Sequence, residues 1–133
     1  MSHHLFTVAD AAPVNLNQLA DELRREIDGL PAGSPLLKAS ALDSQSGVQE
    51  FLVVVRGHED PHIHPDGDLI AVVLEGGGYF ELSSGRAEAP LGSTVVIPKG
   101  ACHAYHNRAE HDSVLLATFS PMNSKGDCPT TGD

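Results

Sequence analysis

Two short stretches hold the side chains best suited to chemistry. His62-Ile63-His64 places two imidazoles one residue apart, and His103 follows farther along the chain beside Cys102. Alternate residues of an extended strand point to the same side. His62 and His64 should therefore project in parallel, roughly 6.6–6.8 Å apart along the chain, close enough to converge on one ion. Pro61 and Pro65 bracket the pair and stiffen its approach and exit. Imidazole suits zinc, iron, copper and nickel, and three protein ligands leave coordination positions open for water, substrate or oxygen. Taken alone, the His-x-His spacing describes equally well two polar residues on a wet strand face.

The elements that must position these residues are readable from periodicity. Leu16, Leu19, Leu23 and Ile27 recur at intervals of three, four and four, with Glu22, Arg24, Arg25 and Glu26 on the other side. That pattern predicts one amphipathic helix within Val14 to Gly29, capped by Asn15 or Asn17 and ended by Gly29 and Pro31. After Pro35 the pattern changes to short β-rich runs: Leu36 to Leu42, Gln49 to Val55, Leu69 to Leu74, Gly78 to Leu82, Ser93 to Ile97 and Ser113 to Phe119. Asp43 to Gly47 and Ser83 to Gly85 read as hairpin loops, and Gly76-Gly77-Gly78 permits backbone angles that other residues resist. Strands spaced so regularly, apolar on both faces, predict a sandwich or barrel.

A chain of 133 residues with 41% hydrophobic composition is long enough for one domain with a real core and too short for two. Eighteen acidic residues against eight basic ones give a formal charge of -10, which disfavours nucleic acid and anionic membrane surfaces as partners. The most apolar runs are far shorter than the ~20 residues that cross a bilayer. The first ten residues lack the basic start and apolar run of a secretory signal, so a cytoplasmic location is expected. Cys102 and Cys128 could pair. However, the composition of Ser124 to Asp133 predicts disorder, so a structural disulfide is not expected, and Cys102 reads as a small apolar residue.

The stretch from Gly92 to Asn107 sharpens this picture. Gly92, five residues, Pro98, one residue, Gly100, two residues, His103, three residues and Asn107 match every fixed position of the second motif of the cupin family. The first cupin motif is matched in part. Gly57 precedes His62-Ile63-His64-Pro65 by four residues where five are usual, and Glu75-Gly76 closes the strand at the usual place. Counting back from Gly76, the family's glutamate position is Leu69. The chain thus resembles the small metal-binding cupins over Gly57 to Asn107, with plausible flanking strands from Leu36 to Pro121. The resemblance implies an all-β fold, a double-stranded β-helix or jelly-roll barrel of two antiparallel sheets. Residues 1–35 form a strand and helix packed on it, 36–121 the barrel and 122–133 a disordered tail. It also implies a metal inside the barrel, bound by His62, His64 and His103.

The missing glutamate leaves two readings. Either Asp68 supplies a fourth ligand through a bulge in Asp66-Gly67-Asp68, or Leu69 points inward and the metal has three histidines; strand alternation favours the latter. Three neutral ligands leave the full dipositive charge on the ion, which favours anionic chelates such as enolates, enediolates or thiolates. Small cupins similar to this arrangement include ferrous dioxygenases acting on thiols and diketones. The resulting expectation is a metal-dependent enzyme on a small polar organic molecule, dioxygenase-like, with Fe(II) favoured and Zn, Ni or Mn as other choices. The alternatives are a non-redox isomerase, cyclase or lyase, and a non-catalytic binding module.

Tyr105 shares the face of His103 and is the candidate catalytic hydrogen-bond donor, or else a filler of the barrel mouth. His106 has the opposite parity. Arg56, His58 and Glu59 read as rim residues or as solvated loop charges, and Asn107 as the residue that fixes the turn after the second motif. Exposed strand edges and the habits of similar proteins lead to the expectation of a homodimer.

Overall fold

The Asn15 side chain accepts the Gln18 backbone N–H at 3.0 Å and caps α1, Leu16–Asp28. The structure is a computed structural model that describes residues 13–34, 37–43, 49–120 and 126–128, with the side chains of 38, 40, 42, 43, 120, 126 and 127 left aside. The expected strand ahead of the helix and the loop of residues 44–47 lie outside the described residues. Ala20, Leu23 and Ile27 form the buried stripe of α1, as the leucine spacing predicts.

Among the described residues ten strands follow: β1 (Leu37–Asp43), β2 (Gln49–Val55), β3 (His62–Ile63), β4 (Asp68–Glu75), β5 (Gly77–Leu82), β6 (Gly85–Pro90), β7 (Thr94–Ile97), β8 (His103–Asn107), β9 (Ser113–Ser120) and β10 (Gly126–Asp127). They build two five-stranded sheets, β1-β2-β9-β4-β7 and β10-β3-β8-β5-β6. Every pairing within them is antiparallel.

Side-chain alternation sorts the first sheet into two faces. Phe51, Val53 and Val55 of β2, Leu69, Ala71 and Val73 of β4, and Leu115, Ala117 and Phe119 of β9 turn toward the second sheet, where Phe80, Ala89 and Tyr105 meet them. Leu52, Val54 and Val114 take the opposite parity and pack under Ala20, Leu23 and Ile27 of α1. The helix therefore covers the outside of the sheet, away from the barrel interior. Arg24 reaches Glu75 at 2.7 Å, while Arg56 holds Asp112 at 2.8 and 3.2 Å and Asp28 at 2.7 Å, so charged contacts fasten the C-terminal half of α1 to the barrel.

Four strands were not separable in the sequence. β3 and β10 have two residues each, β8 was read as a motif, and β6, Gly-Arg-Ala-Glu-Ala-Pro, has poor intrinsic strand preference. β6 is held by its pairing with β5 across the two-residue turn Ser83-Ser84. Gly78 shows why the glycine run matters: a Cβ there would run into the backbone carbonyl of His106 on the neighbouring β8.

One expectation is corrected. Cys102 and Cys128 are joined by a disulfide with a Cα–Cα distance of 5.4 Å. Within the stretch expected to be a disordered tail, Gly126 and Asp127 pair with Ile63 and His62, and that pairing brings Cys128 to Cys102. Sequence composition carried no sign of this short ladder.

Candidate metal centre

β3 and β8 are neighbours, and their register sets His62 directly opposite His103. The ring centroids of these two lie 4.3 Å apart; His64 stands 5.0 Å from His62 and 5.3 Å from His103. One ligand atom from each of the three lies within 4.8 Å of the others. His62 and His103 are buried, and His64 is half-buried against the Phe119 ring at 4.3 Å.

The backbone fixes the tautomers. His62 Nδ1 is 2.8 Å from the Asp60 carbonyl and His103 Nδ1 is 3.0 Å from the Ala101 carbonyl. A carbonyl only accepts, so each Nδ1 carries the proton and donates it, leaving the Nε2 lone pair available for a ligand bond. His64 is steadied through its main chain, because its carbonyl accepts the Gly100 N–H at 2.9 Å. The two glycine-proline motifs thus meet physically at the site. Three grouped imidazole donors, with the Nε2 atoms of His62 and His103 oriented, fit a divalent zinc, iron, nickel or copper ion.

The residues around the three histidines settle the open acid question in favour of Leu69. Leu69 is 5% exposed and lines the interior, whereas Asp68 faces outward and accepts the Lys99 N–H at 2.9 Å. Glu59, expected at the rim or as a solvated charge, instead lines the cavity. Its Oε1 accepts the Tyr105 backbone N–H at 3.0 Å, and its Oε2 is 4.0 Å from His62 Nε2. An acid three residues before the first histidine was the signal available in the sequence. Which way that loop turns was not encoded in any periodicity.

Tyr105 also lines the cavity, and its hydroxyl donates to Ser113 Oγ at 2.8 Å. Burial raises the Tyr105 pKa, the Ser113 hydrogen bond pulls it back, and the Glu59 charge raises it again. Asn107 closes the turn, donating to the carbonyls of Arg56 at 3.2 Å and His111 at 2.8 Å while accepting from Ala109 N at 3.0 Å and Ser113 Oγ at 2.6 Å. His106 points to the outer face, stacked 4.7 Å from Tyr79 and 2.9 Å from Glu81, and His58 stacks on it at 5.3 Å. Arg56 belongs to the helix latch rather than to the site.

A cavity of about 300 Å³ opens onto His62 and His64 between the two sheets. Two antiparallel sheets closed on an apolar interior, with a histidine cluster facing a cavity, define a double-stranded β-helix carrying a candidate metal centre. The chain belongs to the Cupin_2 family, whose cupin-domain profile matches residues 49–119. An uncharacterized protein of Aquifex aeolicus is 38% identical over 101 residues, covering 76% of this chain and 80% of that protein. An uncharacterized Klebsiella pneumoniae protein with a double-stranded β-helix domain superposes with a TM-score of 0.71 at 12% identity, over 96% of this chain and all of the other. The oxalate decarboxylase of Lactobacillus farciminis, solved as a formate complex, gives 0.63 at 19% identity, over 75% of this chain and 33% of the larger one. The two structural likenesses speak to fold. Among the described residues, no helix is long and apolar enough to cross a membrane.

Proposed function

We propose that this protein is a metal-dependent cupin enzyme that transforms a small organic molecule, with ferrous dioxygenase-like chemistry as the leading form. The observation that carries this reading is the convergence of His62, His64 and His103 on one point beside a largely apolar cavity. A divalent ion held there supplies Lewis-acid polarisation of a substrate oxygen or sulfur, and iron adds redox chemistry with dioxygen.

The chain's own residues do the rest. Three neutral ligands, with Leu69 where an acid could have stood, leave the site electropositive toward an anionic head. The hydrocarbon walls exclude water and strengthen that attraction. Tyr105 is the proposed substrate-contacting residue: its ring walls the cavity, and its hydroxyl, kept protonated by burial, can exchange Ser113 for a substrate acceptor. A homodimer is also proposed, supported by the exposed pair Ile70 and Val96 on the uncovered outer face of β4 and β7.

The test begins with anaerobic purification and metal analysis. The expected result is one divalent ion per chain, lost in His62→Ala, with oxygen uptake on chelating enolates or thiols. Stoichiometric metal in His62→Ala overturns the centre. Oxygen-independent turnover with zinc or nickel overturns the dioxygenase form and leaves a non-redox cupin enzyme.

A further inference from the structure

The walls of the cavity say more about the substrate than the metal ligands do. Among the described residues, eleven of the sixteen that line the cavity are apolar, and none is lysine or arginine. Phe51, Val53 and Val55 face Leu115, Ala117 and Phe119 across the adjoining strands β2 and β9, so the largest continuous wall is hydrocarbon. The one carboxylate is Glu59. It is held in place at Oε1 by the Tyr105 N–H, with Oε2 beside His62, and its side chain is only 21% exposed.

We infer that the site selects a monoanionic chelating head carrying an uncharged hydrocarbon body, branched aliphatic or monocyclic aromatic, and rejects both polyols and dianions whose second charge lies beyond that head. The inference rests on the metal-centre reading above and names the substrate class for it. A polyol would bring hydroxyls against valine, leucine and phenylalanine, where each gives up water without gaining a partner. A dianion whose second carboxylate extends beyond its chelating head could place only the head at the metal. That second carboxylate would meet either hydrocarbon or the charge of Glu59, with no lysine or arginine among the described lining residues to receive it. A monoanion with an apolar body meets neither cost, and about 300 Å³ accommodates a small branched or single-ring body.

The magnitude follows from the transfer free energy of a methylene. Burying each added CH₂ should tighten binding by a factor of about four. The experiment is isothermal titration of the zinc-loaded protein with pyruvate, 2-oxobutanoate, 4-methyl-2-oxopentanoate and phenylpyruvate, and with 2-oxopentanedioate and gluconate for comparison. Affinity should climb along the 2-oxo acid series, and 2-oxopentanedioate and gluconate should bind more weakly than 4-methyl-2-oxopentanoate. Val53→Thr, which keeps side-chain shape while placing a hydroxyl on the wall, should weaken the longer acids and spare pyruvate. Glu59→Gln should strengthen 2-oxopentanedioate relative to pyruvate. A flat series, or 2-oxopentanedioate or gluconate binding tightest, overturns the inference. Absence of zinc from the purified protein is a separate result, measured beforehand, and defeats the metal centre itself.

Discussion

Removing the Cys102–Cys128 bond provides a quantitative test of how the two ends of the metal site are held together. The bond joins the residue preceding His103 to the residue following Asp127, whose backbone registers with His62. It therefore fastens β10 across β3 and β8, the strands that carry two of the three ligands. The cysteines are separated by 26 residues in sequence. For a loop of that length, the chain-entropy relation assigns about 3.5 kcal/mol of stabilisation, through restriction of the unfolded chain. With a urea dependence of about 1.5 kcal/mol/M, typical of a small domain, the midpoint should fall by about 2 M in the Cys102→Ser/Cys128→Ser double variant. The assay is equilibrium urea unfolding of the oxidised wild type, the reduced wild type and the double variant, all without metal. The reduced protein and the variant should coincide, well below the oxidised form. A variant midpoint within about 0.5 M of the oxidised wild type would refute the reasoning, as would two titratable thiols in protein purified under air. The same measurement bears on location, since such bonds persist in oxidising compartments and are rare in the reducing cytosol expected from the amino-terminal sequence.

Three further outcomes follow from the packing. Ile27→Ala, which empties a site 2% exposed between α1 and Leu52, Val54 and Val114, should cost about 2–5 kcal/mol in urea unfolding while leaving zinc stoichiometry unchanged, because α1 lies outside the barrel. Gly78→Ala should destabilise by at least about 1–3 kcal/mol, since its Cβ meets the His106 carbonyl and β5 must shift away from β8; a wild-type midpoint would show the contact to be slack. Tyr105 titrates above the ordinary 10.0 in the folded chain, so its contribution is complete below pH 10.0 and is lost as pH rises through the folded value. Wild-type stability should therefore fall more steeply above pH 10.0 than that of Tyr105→Phe, and parallel profiles of metal-free protein would contradict this.

Periodicity carried the barrel because burial on both sheet faces is a repeating constraint. Leu52 and Val54 under the helix, alternating with Phe51, Val53 and Val55 inside, leave a record that survives without coordinates. The second cupin motif carried His103 and Asn107 because backbone geometry demands particular residues there: Gly92 and Gly100 adopt φ values of 85° and 80°. What could not be read were contacts made by short or locally unfavourable segments. β6 exists because β5 offers it a partner, and β10 because β3 does. The disulfide follows from that last pairing and from no property of the two cysteines alone. Glu59 was hidden for the same reason, since its backbone N–H donates to the carbonyl of Tyr105 and its Oε1 accepts the N–H of Tyr105, a residue far away in sequence.

Leu69 and Glu59 together define the electrostatics of the centre. With Leu69 facing inward, the strand that could have contributed an acid contributes hydrocarbon, and the three grouped ligand atoms are all neutral imidazole nitrogens. Glu59 stands beside this group, its Oε2 4.0 Å from His62 Nε2. In the three-histidine reading, the negative charge of the pocket stands at the flank of the histidines, where the Tyr105 N–H restrains Oε1. A charge bound directly to an ion would lower the ion's pull on every anionic ligand alike. Placed at the flank, the same charge acts on whatever part of the ligand extends past the head, so a single anionic group is attracted while a second one is opposed. This division, with attraction at the histidines and discrimination at Glu59, is why exchanging Glu59 for glutamine should change the order in which anions bind more than it changes the affinity for zinc.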